Sequence, residues 1–302
     1  MKRTFILFAL LFFFSGNVFA EATSTKKSRA VLTLTGEVPP GLYVQTGVWG
    51  NAREDNVKAV LQSVLDVYSD AYGGDYVLRR QKVTTVTKTA GIPMALSNLS
   101  EIHLNTTNMF WCQYIYQFAH ELYHYTCGIL IAQTRHQWFE EMLAEMHSLF
   151  VLDMLAEKWK TNAPYPNWVD FAPEIRRYYE NVTKNSDIGL DERKLAALFK
   201  ENRKILESKA TIPYDKTAGK PDENAEGIRF AYTFAPVLYK EVFRNNPDAW
   251  EALKVLHAMG KCGELTFEEY LSRWYKQCGT AGKKSVVKKT ASVMGVELEM
   301  LR

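Results

Sequence analysis

The hydrophobic spacing of this chain changes near Asn108, and that change bounds its fold class. Before it lie short runs of β-formers: "AVLTLTG" (30–36), "GLYVQTGVW" (41–49), "YVLRRQKVTTVTK" (76–88) and "EIHLNTT" (101–107). The stretch "TAGIPMALSNLS" (89–100) reads as turn between two of them. A single helix interrupts these strands, with Val57, Val60, Leu61, Val64, Leu65 and Tyr68 at helical spacing and Gly73-Gly74 as its stop. After Asn108 the spacing predicts helices over 109–130, 137–158, 174–184, 191–208, 227–244, 248–259 and 267–277. The expectation is an α+β fold, a small mixed sheet with its helix followed by a mostly α-helical region.

The first twenty residues stand apart. Lys2 and Arg3 precede an apolar run, Phe5 to Phe14, and "SGNVFA" ends with Val18 and Ala20 at the small-residue positions of a cleavage site, as in a secretory signal peptide. The run is about half of the ~20 residues that a membrane span needs. The expected mature protein is periplasmic or secreted, with no stable membrane span. The chain divides into 1–20 as signal peptide, 21–106 as an α+β part and 107–302 as a helical part. Without Lys2 and Arg3, 35 basic residues face 34 acidic ones, a balance that offers nucleic acid nothing to bind. The basic "GKKSVVKK" (282–289) reads as a solvated tail.

Four cysteines in an exported chain can form disulfides. Cys262 and Cys278 flank "TFEEYLSRWY", a short helix that opens with a Thr266/Glu269 capping box, and a bond clasping its ends is expected. Cys112 and Cys127 share one helix, where fifteen residues separate them by roughly 22 Å, too far to pair.

The chemistry concentrates in "YQFAHELYHYTCG" (116–128). On a helix, residues four apart face the same way, so His120 and His124 can offer two imidazole nitrogens to one cation, a geometry that suits Zn²⁺. Glu121 lies beside the first of them, placed to act on water as a general base. A catalytic zinc takes three protein ligands and leaves a fourth position open, so a third ligand is required. Cys127 and Leu130 occupy the Gly and final His positions of HExxHxxGxxH, which excludes that version. Downstream, polar "AQTRHQ" (132–137) can reverse the chain, and Glu141 and Glu145 then share a face of the next helix. His120, His124 and Glu141 make a two-His-one-Glu site, with Glu145 placed to accept the remaining ring N–H of a ligand histidine. Glu140 is the alternative ligand, one residue and about 100° away on the helix.

These residues resemble the gluzincin metallopeptidases, the group that contains thermolysin and the zinc aminopeptidases. The likeness rests on His120-Glu121 and His124, then on Trp138-Phe139-Glu140-Glu141-Met142-Leu143-Ala144-Glu145, which is similar to the aminopeptidase pattern W-L-N-E-G-L/F-A. Met142 stands where that pattern has Gly. The resemblance covers about forty residues and implies a zincin-like catalytic region with Glu141 as the ligand. It further implies "EIHLN" (101–105) as an edge strand against which a peptide can pair. The amine-anchoring GxMEN is missing, "GIPMALSN" (91–98) being only superficially similar, which argues against an aminopeptidase. The oxyanion donor implied by "IRFAYTFAPVLYKEVF" (228–243) is Tyr232, with Tyr214 behind it.

The function expected is therefore an exported zinc peptidase, an endopeptidase first, acting on a peptide or protein substrate. The alternatives are a catalytically idle zincin-like protein that binds peptides or envelope partners, and an aminopeptidase with an unrecognised amine anchor. His136 and His147 read as polar surface or helix-packing residues, and Tyr116, Tyr123, Tyr125 and Trp138 as packing around the helices. Cys127 reads as a small buried apolar residue that could compete for zinc as a thiolate.

Overall fold

The computed structural model describes residues 41–74, 76–78, 83–128, 136–184, 186, 190–208, 214–215, 220–221, 226–260 and 264–299. They belong to one compact unit, Pro40–Arg302. The expected signal peptide and the "AVLTLTG" strand lie outside the described residues. The fold is α+β: a four-stranded mixed sheet beside a larger assembly of helices.

In chain order, β1 (Gly41–Val44) leads to α1 (Glu54–Tyr72), β2 (Val83–Lys88), β3 (Met94–Leu96) and β4 (Glu101–Leu104). The helices α2 (Trp111–Cys127), α3 (Gln137–Lys158), α4 (Ala172–Thr183) and α5 (Glu192–Ser208) follow, with a 3-10 turn at Pro166–Phe171 in the proline-rich connection. A two-residue ladder, β5 (Tyr214–Asp215) with β6 (Lys220–Pro221), precedes α6 (Glu226–Leu238), α7 (Pro247–Ala258), α8 (Phe267–Gln277) and α9 (Ala281–Val293).

The sheet order is β1-β2-β4-β3, parallel at the first two pairings and antiparallel at the last. This corrects one expectation. Glu101–Leu104 is an inner strand, because the stretch read as turn folds back on it as β3, with Ala95 opposite Ile102. Three residues bounded by Pro93 and Ser97 are too short for a period to show, yet they find partners on β4.

Helix α1 buries the stripe Val57, Val60, Leu61, Val64, Leu65 and Tyr68 seen in its sequence, and ends at Gly73 with φ 83°. Helices α2 and α3 are apolar on almost every side, which is why they are central: α3 packs against α1, α2, α4 and α6. Helix α2 stops at Gly128, whose left-handed φ of 77° lets its N–H reach the His124 carbonyl. The loop leading into α2 is tied to the loop after β1 by a bond from the Asn51 N–H to Asn108 Oδ1, 3.1 Å. A Cβ at Gly50 would collide with that same Asn108 side chain.

The expected helix 227–244 is interrupted. Pro236 lies inside α6, and the chain continues as a π-helical turn, Tyr239–Phe243, with the Arg244 N–H on the Tyr239 carbonyl. The basic stretch 282–289 is part of α9 and not a tail. Val286, Val287, Thr290, Ala291 and Val293 form its buried face, the Thr280 side chain caps its start, and Lys289 reaches Glu192 of α5 at 2.5 Å. Its apolar period was short and masked by four lysines.

The Thr266/Glu269 capping box is present at α8. The disulfide gains no support: Cys278 is a buried thiol in no disulfide among the described residues, and Cys262 lies outside them. Cys112 and Cys127 sit at opposite ends of α2.

His147 is fully buried among rings, 4.3 Å from the centroid of Tyr123. Its Nδ1–H donates to the Leu143 carbonyl and its Nε2 accepts from the Tyr72 hydroxyl. Burial holds its pKa down at about 3, against the pull of the Leu143 bond. The unfolded chain binds this proton below about 6.5 and the native one does not, so stability is lost as pH falls through that window. Between pH 6 and pH 4 the wild type should lose roughly 2.5 kcal/mol more than His147→Gln. Urea unfolding of both proteins at several pH values measures it, and equal slopes would refute it.

Candidate metal centre

The site is built on α2 and α3, which run antiparallel: partners on α3 advance from Glu140 to Ser148 as those on α2 retreat from His124 to Tyr116. The Ser148 hydroxyl fixes this register by donating to the Tyr116 carbonyl at 3.0 Å. From the other side, the Tyr68 hydroxyl of α1 donates to the Ala119 carbonyl. Gln117 pairs twice with the Asn105 backbone, pinning the end of β4 to the same helix.

On that frame His120 Nε2 lies 3.3 Å from Glu141 Oε2, and His124 Nε2 lies 3.6 Å from the same oxygen. The three donor atoms lie within 4.8 Å of one another. A four-coordinate cation with bonds of about 2.0–2.1 Å spaces its ligands roughly 3.4 Å apart, so the three fit one ion. Glu140 is not the third member. One residue back on α3, it accepts from His124 Nδ1 at 2.9 Å. Glu145 lies 3.7 Å from His120 Nδ1 and accepts the Tyr116 hydroxyl at 2.5 Å.

Each histidine thus has one nitrogen toward the shared oxygen and the other toward a carboxylate that orients the ring. Glu145 was expected in that role. Glu140 and Tyr116 were missed, although a sequence signal existed: two ligand histidines need two such acceptors, and Glu140 and Glu145 flank Glu141.

Charge points the same way. Glu121, Glu140 and Glu145 are buried and Glu141 nearly so, which gathers four carboxyl groups around two imidazoles. No lysine or arginine pairs with Glu141 or Glu145 among the described residues. Such a cluster calls for positive charge. Burial alone would discharge His120, but its bond to Glu141, the Glu145 carboxylate 3.7 Å away and the charge of Glu121 lift its pKa to about 9. His124 is raised well above the usual range, against its burial, by the charge of Glu141 and by interactions with Cys127, Glu140 and Glu141. Burial works to raise the Glu141 pKa, and the two histidines overcome it and hold the carboxyl ionised.

Glu121 is buried beside them, near enough to both histidines, to Glu141 and to the Ala95 backbone of β3 for each to act on its charge. Burial raises its pKa, with the histidines opposing. Tyr232 of α6 packs edge-on to His120, ring centroids 5.8 Å apart. Its hydroxyl is held protonated by burial and by the charges of Glu141, Glu145 and Glu121. The fold therefore brings His120, Glu121, His124, Glu141, Glu145 and Tyr232 together. Tyr214 lies on β5 and its side chain is outside the described residues.

The remaining histidines have structural partners. His136 bonds the Leu265 carbonyl, His103 pairs with Glu101, and His257 meets the Tyr76 hydroxyl.

Tyr116→Phe should lower metal affinity about tenfold or more, because Glu145 loses the donor that holds it beneath His120. Competition with a chromogenic chelator measures this, and an unchanged constant would reduce Tyr116 to packing.

No family model, curated protein or solved structure matches the chain.

Proposed function

We propose that the protein is an exported zinc-dependent peptidase of gluzincin type, with endopeptidase activity. One observation carries the reading: two imidazole nitrogens and one carboxylate oxygen converge at cation spacing while a fourth group, the buried Glu121, stands beside them. A purely structural site has no need of that glutamate. The donor set of two His and one Glu is that of catalytic zinc, with room for one further ligand. Bound there, zinc would polarise a carbonyl and acidify a water.

The chain's own residues perform the rest. Glu121 takes a proton from the attacking water, whose oxygen bonds to the scissile carbonyl carbon. The C–N bond then breaks, its electron pair goes to nitrogen, and Glu121 returns the proton there. The Tyr232 hydroxyl, kept protonated by its setting, can donate to the carbonyl oxygen as charge grows on it. Strand β3 is the sheet edge next to Glu121, suited to pairing with an extended peptide. Its residues, Met94, Ala95 and Leu96, offer no carboxylate to hold a free amine, which favours an endopeptidase over an aminopeptidase.

The mature protein should contain about one zinc per chain and cleave an unstructured protein such as casein, with N-blocked peptides cut as well as free ones. Absence of zinc would defeat the reading. Zinc without cleavage would favour the idle peptide-binding alternative, and cleavage of free peptides alone an aminopeptidase.

A further inference from the structure

A second group of donors adjoins the first. Cys127 lies one turn beyond His124 on α2, and its Sγ is 3.5 Å from Glu140 Oε1, which in turn is 2.9 Å from His124 Nδ1. One donor atom from each of the three residues lies within 4.8 Å of the other two. Cys127 is 1% exposed and Glu140 2%. The first group uses Nε2 of His124 and this one uses Nδ1, so the imidazole ring stands between them.

We propose that Cys127, Glu140 and His124 form a second cation site that takes soft, low-coordinate ions and shares His124 with the first. The donor chemistry sets the class of ion. A thiolate selects soft cations, and hard ions that keep several waters have no place in so buried a position. Ligands about 2.0–2.3 Å from an ion lie roughly 3.3–3.8 Å apart, so the sulfur is already at bonding spacing and the 2.9 Å pair opens by a few tenths of an ångström.

Binding forms three bonds, from the Cys127 sulfur, a Glu140 oxygen and His124 Nδ1. It releases two protons to the buffer, the thiol proton and the Nδ1 proton that Glu140 accepts in the free site. Occupancy also takes from His124 the carboxylate that orients it, so soft cations act on the first site through the shared ring. The proposal rests on the donor geometry and not on peptidase activity.

The test is a titration of the mature protein, zinc already loaded, with Cd²⁺, read as the thiolate-to-cadmium ultraviolet band. One band-forming equivalent is expected, with about two protons released. Cys127→Ser should keep its zinc and lose the band, while Cys112→Ser and Cys278→Ser keep both. Glu140→Gln, which leaves the thiol in place, should weaken the band-forming affinity at least tenfold, and His124→Ala should lose zinc and band together. A band that survives in Cys127→Ser, or an affinity unmoved in Glu140→Gln, overturns the proposal. A wild type that holds zinc and cleaves casein yet forms no band defeats this site alone, whereas a band in a protein without peptidase activity leaves it standing.

Discussion

Glu121→Gln should retain its zinc and lose protein cleavage on the order of 10³-fold, within the range that a positioned acid–base group contributes. The two halves of the expectation have separate structural causes. Zinc stays because the Glu121 carboxylate is not one of the three converging donors, which come from His120, His124 and Glu141. Gln has the shape of Glu, so it fills the same buried position on α2 without a change of packing. Cleavage falls because an amide cannot take the proton of the attacking water. Metal content and casein hydrolysis, measured on the same preparation, separate the outcomes. Loss of zinc in the variant would make Glu121 a ligand or a scaffold residue. A fall of less than about threefold would move the general base elsewhere.

Removing the metal should lower the melting temperature by about 8–16 °C. Zinc present at a thousand times its dissociation constant contributes about 4.1 kcal/mol to the folded state. In a chain of this size each kcal/mol moves the midpoint by about 2–4 °C. The structure makes the linkage strong: four carboxyl groups and two imidazoles lie together inside the α1–α2–α3 core, and the carboxyls hold protons on His120 and His124 that the ion would replace. Glu141→Ala should reproduce the low midpoint and show no further response to a chelator. Calorimetry of wild type and variant, each with and without chelator, checks both statements. An unchanged wild-type midpoint would mean that cation binding is not coupled to folding of this core.

The helices α1, α5, α7 and α8 were legible because each carries an apolar stripe long enough to show its period, and α3 because its apolar run is long. The short elements were not. Strand β3 spans three residues and exists through its pairing with β4, and the apolar face of α9 is only a few residues wide between lysines. The interruption after Pro236 was available from the proline itself and was read through.

At the site, sequence alone determined which residues could act together. The four-residue spacing of His120 and His124, and of Glu141 and Glu145, is a property of any α-helix and needs no partner to hold. Distances along a helix are set by its own hydrogen bonds, so they are written in the order of residues. What lies between elements is set by packing, and only the tertiary structure decided it. It gave the shared oxygen to Glu141, turned Glu140 to the far nitrogen of His124, and set the Tyr116 hydroxyl on Glu145. Each of those contacts depends on the angle and register at which two surfaces meet, fixed by many side chains at once and encoded by no single stretch of chain.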